Sequence, residues 1–248
     1  MTYGNGTRAG RPILENVELS VPEAQFLCVL GPSGCGKTTL LNLMAGFLHP
    51  TAGEILFDGH PVTGPGPERG VVFQDAVLFP WLTAIGNVEF GLLQRDLKRP
   101  HARRLALDYL GMVGMTDEAH AYPYTLSGGM RQRVAIARVL ALEPAALLMD
   151  EPFSALDANT REHLQDELLR IWMQHQRTVV YVTHSVEEAA YLGDRVVVLA
   201  PAPGSMCADL TISVPRPRQR RCDELNLCIQ TLRRALDQLP CCTKPRLR

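Results

Sequence analysis

The chain has no long apolar run, no C-x-x-C pair and almost no net charge, and each lack removes a class of function. Its formal net charge is −1, so the broad basic field that gathers nucleic acid is missing and no nucleic-acid partner is expected. No stretch approaches the roughly 20 apolar residues of a membrane span; the run Val196-Val197-Val198-Leu199-Ala200 stops at Pro201. The first residues, Met1 to Gly6, lack the apolar core of a secretory leader. The expectation is a cytosolic chain whose membrane role comes through a partner. The seven cysteines are odd in number and one, Cys35, lies in a glycine-rich loop, which speaks against a disulfide framework or a zinc centre. Cys241 and Cys242 are adjacent and cannot easily bridge each other; they read as free thiols. What remains, 46% hydrophobic and 21% charged over 248 residues, is ordinary for one sizeable core or two modest ones.

What is present is organised around Gly31-Pro32-Ser33-Gly34-Cys35-Gly36-Lys37-Thr38. The apolar run Phe26 to Leu30 precedes it, and Thr39 opens a stretch with Leu40, Leu43, Met44 and Phe47 at helical spacing. Strand, glycine loop and helix together form the context of a phosphate-binding loop. Glycines let backbone N–H groups approach phosphate oxygens. The positive end of the helix and Lys37 add charge, while the Thr38 hydroxyl is placed to ligate Mg2+. A nucleotide such as ATP, with its metal, is the first inference.

Along the chain, Ile13 to Val21 alternates loosely and predicts a strand, and Glu54 to Gly59 predicts a strand closing on an Asp-Gly turn. A short apolar strand at Gly70 to Phe73 ends on Gln74. Between Asp75 and Glu143 helical periodicity takes over, at Ala102 to Leu110 and Met130 to Leu142, and predicts an inserted helical subdomain. Strands resume at Ala145 to Met149, ending on Asp150-Glu151, and at Thr178 to Val182, ending on Thr183-His184, with a helix over Thr160 to Trp172 between them. Arg195 to Leu199 is the last run before a proline-rich stretch. The division expected is a core of 1–75 with 144–214, an inserted subdomain at 76–143, and a basic tail at 215–248. Continuous apolar strands alternating with helices predict an α/β fold with a mostly parallel sheet. Ligands bind such sheets at the carboxyl ends of the strands, where Gly31, Gln74, Asp150, Glu151 and His184 all stand.

The chemistry of each group suits a nucleotide. Asp150 can hold Mg2+ directly or through water. Glu151 can position and polarise an attacking water, and Gln74, which both donates and accepts, can contact metal or water. A neutral His184 can donate to the edge of a γ-phosphate. Leu126-Ser127-Gly128-Gly129-Met130 opens a further helix, and Ser127 with Gly128 and Gly129 makes a second anion-binding nest. One chain then has two phosphate-seeking sites and one complete pocket, so the second site is expected to close the pocket of another copy, head to tail.

In their order and spacing these motifs resemble the ATP-binding subunits of ABC transporters. Gly31 to Thr38 match Walker A, Gln74 the Q-loop, Leu126 to Met130 the signature, Leu147 to Glu151 Walker B, Ser154 to Asp157 the D-loop and His184 the switch histidine. The stretch Gly64 to Gln74 with Leu78-Phe79-Pro80-Trp81, and Pro215-Arg216-Pro217-Arg218, are similar to the nitrate, sulfonate and taurine importer branch. The resemblance implies a RecA-like core with an inserted helical subdomain, an N-terminal antiparallel β part, and ATP held between two copies. It further implies hydrolysis that drives a membrane permease at the cytoplasmic face of the inner membrane, and an extracytoplasmic solute-binding protein acting indirectly. Alternatives are a soluble ABC ATPase acting on ribosomes or DNA, and a module that no longer hydrolyses. The chain departs from the family at Met130, where many relatives carry Gln, and at Ser185, where many carry Asp. Tyr3 is the candidate for stacking on adenine. Val77 to Leu82 reads either as a surface that receives a permease helix or as subdomain core. The basic tail, with a helix-like stretch at Leu225 to Leu239, reads either as a solvated segment or as a contact for lipid or permease.

Overall fold

The computed structural model describes residues 12–95, 97–154 and 156–239; Tyr3, Cys241 and Cys242 lie outside them. Its elements are β1 (Phe26–Leu30), α1 (Lys37–Ala45), β2 (Leu56–Phe57), β3 (His60–Pro61), β4 (Arg69–Val72), α2 (Ala84–Leu93), α3 (Arg99–Met112), α4 (Gly128–Leu140), β5 (Ala146–Asp150), α5 (Ala158–His175), β6 (Thr178–Thr183), α6 (Val186–Leu192), β7 (Arg195–Leu199), β8 (Met206–Thr211) and α7 (Asp223–Asp237). The described residues fall into two compact units, one up to Pro65 and from Thr178 onward, the other from Gly66 to Arg177.

In the first unit β1 runs parallel to β6 and to β7, with Leu30 opposite Thr183 on one side and Val198 on the other. Every residue of β1 is buried, which is why Phe26 to Leu30 shows no alternation of apolar and polar side chains. β8 pairs antiparallel with β7 and alternates half-buried and exposed positions, the pattern of a strand covered on one face. The small hairpin β2–β3 turns through Asp58 and Gly59 at φ 50° and 74°, so the Asp-Gly turn forms as expected, with positive φ at both central residues.

Two expectations fail in this unit. No strand forms over Ile13 to Val21; Leu14 makes an isolated bridge to Gly204, and Asn16 turns out of extended geometry at φ 51°. Leu14 and Val17 are three residues apart, so they cannot share one face of a strand. The described part of the expected tail, residues 215–239, is not a solvated segment either. After β8 it packs α7 against α6, with Leu225 and Leu232 buried.

The second unit pairs β4 with β5 in parallel, Val72 opposite Met149, and packs α2, α3 and α4 together. Fully buried alanines at Ala102, Ala106 and Ala137 let these helices approach closely. Helix α2 has no counterpart in the sequence reading. Gly86, Gly91 and the buried polar residues Asn87 and Glu89 mask its apolar stripe.

Candidate nucleotide site

In the first unit the loop after β1 is shaped by glycines. Gly36 caps α1 at φ 100°, a conformation that costs other residues about 1–2 kcal/mol, and a Cβ there would sit 2.7 Å from Leu14 Cδ2. At Gly31 a Cβ would lie 2.9 Å from the Leu199 carbonyl oxygen. The loop therefore runs as bare backbone into the first turn of α1, where helix geometry leaves N–H groups aimed off the helix end. Lys37 is buried at 6% exposure, and its ammonium donates to the carbonyls of Gly31 at 2.8 Å and Pro32 at 3.0 Å. Ser33, Gly34 and Thr38 are exposed, Pro32 and Thr39 half-buried and Cys35 buried. Side chains added at Gly31 or Gly36 would strike the residues packed behind the loop, so the backbone is held in this curve, with a buried cation against it and an exposed hydroxyl at Thr38, and it fits a polyphosphate. Since Leu30 and Thr183 are in register, Gly31 and the exposed His184 leave neighbouring strands at the same level.

The second unit brings Gln74 and Asp150 together in the same way. Val72 and Met149 are in register; Asp150 ends β5 at 7% exposure, and the exposed Gln74 follows two residues after β4. Glu151 takes φ 42°, and the turn it begins is held by Ser154, whose N–H and hydroxyl donate to the Glu151 carbonyl at 3.1 and 3.0 Å. Arg161 braces the D-loop by donating to the carbonyls of Phe153 at 3.2 Å and Leu156 at 2.8 Å.

Ser127 is the N-cap of α4, and its hydroxyl accepts from the Met130 N–H at 3.3 Å. Ser127 and Gly128 are exposed and Gly129 half-buried, so the nest opens outward. Arg131 holds the approach to it by donating to the Leu126 carbonyl at 2.7 Å.

Two residues of this unit escaped the sequence reading. Gln132, 3% exposed, donates from α4 to the Phe73 carbonyl at 3.2 Å and so ties the signature helix to the backbone just before Gln74. Asn87, wholly buried, accepts from the Phe79 N–H at 2.8 Å and donates to the carbonyls of Phe79, Leu82 and Thr83 at 3.0–3.2 Å. It pins the Phe79-Pro80-Trp81 bend. Leu78 is buried there, while Val77 and Trp81 are 61% and 70% exposed, so Val77 to Leu82 is part core and part surface. Phe79 packs tilted against Trp81 and Phe90, with ring centres 5.5 and 4.8 Å apart. Nothing in the sequence marks either one: Gln132 stands between Arg131 and Arg133, and Asn87 between Gly86 and Val88.

The family model described as ABC transporter matches residues 14–154. The chain belongs to the ABC transporter family. It is an ATP-binding, ATP-hydrolysing cassette of that family. It is 49% identical over 204 residues to the taurine import ATP-binding protein TauB of Yersinia pestis, covering 82% of this chain and 80% of TauB. It is also 49% identical over 211 residues to the bicarbonate transport ATP-binding protein CmpD of Synechocystis, covering 84% of this chain and 75% of CmpD. Among solved structures, the ATP-binding cassette MJ0796, a dimer in a post-hydrolysis state with ADP and Pi, superposes with a TM-score of 0.76 at 33% identity, over 86% of this chain and 96% of that one. No helix among the described residues is long and apolar enough to cross a membrane.

Proposed function

We propose that this ABC cassette is the ATPase subunit of an importer for a small anion such as nitrate, a sulfonate or taurine, and that two copies close head to tail around ATP. The observation that carries the reading is the cradle from Gly31 to Thr38, with Lys37 buried at its floor. Gly31, Pro32, Ser33, Gly34, Cys35 and Gly36 supply the loop, Lys37 the charge, and Thr38 and Thr39 the first turn of α1 that receives the phosphates. Thr38, Gln74 and Asp150 are the oxygen ligands offered to Mg2+, which neutralises phosphate charge when bound. Glu151 accepts a proton from the attacking water. His184 donates to the γ-phosphate, and Gln74 reports whether the site is assembled. Ser127, Gly128 and Gly129 of the second copy face the same phosphate.

The exposed Val77 and Trp81, on either side of the Phe79 backbone that Asn87 holds, offer an apolar surface for a helix of a transmembrane permease. Through that permease the cassette sits at the cytoplasmic face of the inner membrane and responds, indirectly, to an extracytoplasmic solute-binding protein. The likeness to proteins named for taurine and bicarbonate transport supports a small anionic or zwitterionic cargo.

Glu151→Gln keeps the shape of the side chain and removes its basicity. Steady-state hydrolysis should fall by about a hundredfold or more while ATP binding persists. Multiple turnover at the parent rate would remove the role given to Glu151.

A further inference from the structure

The hydroxyl of Thr183, the last residue of β6, does two things at once. It donates to Glu188 Oε2 at 2.6 Å and accepts from the Ser185 N–H at 3.0 Å. These two bonds straddle His184. Glu188 closes the ring from the other side, because its backbone N–H donates to the Ser185 hydroxyl at 3.2 Å. Its carboxylate also accepts from the Tyr181 hydroxyl at 3.3 Å. Tyr181, Thr183 and Glu188 are 0%, 1% and 8% exposed, whereas His184 between them is exposed. A buried carboxylate is costly and persists where hydrogen bonds compensate it; here two hydroxyls do so in the first turn of a helix, where negative charge is favoured. Ending β6 and starting α6 requires only the cap that Ser185 already provides. What the buried ring adds is a fixed backbone on both sides of residue 184.

The helix that carries Glu188 is itself held from the C-terminal segment. Helix α6 has seven residues, and its last carbonyls find no partner within it. Arg218, 6% exposed, supplies one, donating from Nη1 to the carbonyls of Ala190, Tyr191 and Gly193 at 3.0, 2.9 and 2.7 Å. At the other end Ser185 donates to Glu187 Oε2 at 3.0 Å, and Glu187 Oε1 accepts from Arg233 of α7 at 2.5 Å. That last pair is exposed on both sides and contributes little; Arg218 is the main grip.

We infer that Thr183 and Glu188 form a positioning pair for His184, holding its side chain toward the γ-phosphate through the hydroxyl of Thr183. The inference rests on the γ-phosphate role given to His184 above. Neither residue touches the nucleotide; each acts through the backbone of the residue between them.

The test is a double-mutant cycle on the full chain, reading kcat and KM for ATP hydrolysis and the affinity for a fluorescent ATP analogue. Thr183→Val, which keeps shape and loses the hydroxyl, should lower kcat by about tenfold to a hundredfold with KM and analogue affinity little changed. Thr183→Ser, which keeps the hydroxyl, should restore the parent rate. In a His184→Ala background Thr183→Val should cost nothing more, since the residue it positions is gone. Equal losses in both backgrounds would mark the pair as merely structural and overturn the inference alone. Full turnover in His184→Ala would overturn the reading of His184 and this inference with it. Should Thr183→Val not fold, Glu188→Gln passes through the same cycle with the same two outcomes, its amide accepting more weakly than the carboxylate.

Discussion

Glu151 stands in left-handed backbone geometry at φ 42°, a region that non-glycine residues enter at a cost of about 1 kcal/mol or more. The turn through Ser154 and the bracing from Arg161 hold it there. Glu151→Gly removes that cost together with the carboxylate. Urea denaturation should show stability unchanged or raised by up to about 1 kcal/mol, while the ATPase rate falls to background. A loss of stability would mean that the Glu151 side chain supports the fold and that its backbone is not strained for function. The motif residues were legible because each belongs to a chemically dictated spacing. The strain at Glu151 was not, because nothing in Met149-Asp150-Glu151-Pro152 distinguishes an extended carboxylate from one turned back. Gln132 and Asn87 were also silent: their partners are backbone groups, which carry no sequence signature.

Among the elements, the apolar strands β1, β5, β6 and β7 could be read directly, since burial on both faces leaves an unbroken apolar run. The helix-like stretch Leu225 to Leu239 matches α7, but β8 and the packing of the segment between them could not be read. β8 is half-buried and mixes Cys207, Asp209 and Thr211 into its exposed face, and the arginines after it look like a charged tail until their acceptors are known. Arg218 makes five hydrogen bonds to main-chain carbonyls, of Val214, Ala190, Tyr191, Gly193 and Ile212. Desolvation pushes its guanidinium down to about 10, so it remains charged at neutral pH. Arg216 beside it pairs with Asp194 at 2.7 Å and lies over the Phe26 ring with its guanidinium carbon 5.7 Å from the centre. Arg218→Ala strands several buried carbonyls at once, and each unsatisfied acceptor costs about 1–3 kcal/mol. A net loss of about 3 kcal/mol follows, seen as a fall in Tm of roughly 6–12 °C for a chain of this size. A change smaller than one degree would show that water replaces the guanidinium without penalty and that the C-terminal segment is a passive cover.

For the whole molecule, the reading that two copies share their nucleotides places its demand on Ser127, which is exposed together with Gly128 while Val134, Ile136 and Ala137 further along α4 are buried. The formal charge of −1 per chain means that two copies repel each other weakly, so closure is governed by what lies between them. On that reading, occupancy of the cradle at Gly31 to Thr38 would be the signal for pairing. Blocking hydrolysis with Glu151→Gln should therefore make ATP convert the chain from monomer to dimer, read by size exclusion with light scattering. Adding Ser127→Arg puts a bulky cation where the second copy presents its nest. It should abolish the ATP-dependent dimer, while the affinity of a single chain for ATP stays within about twofold, since the nest is not needed to hold nucleotide from one side. The loss of the Ser127 cap would by itself cost only about 1 kcal/mol, too little to unfold α4. A dimer that persists in the double variant would exclude the head-to-tail arrangement. A parallel fall in single-chain affinity would instead move Ser127 into the nucleotide site of its own copy.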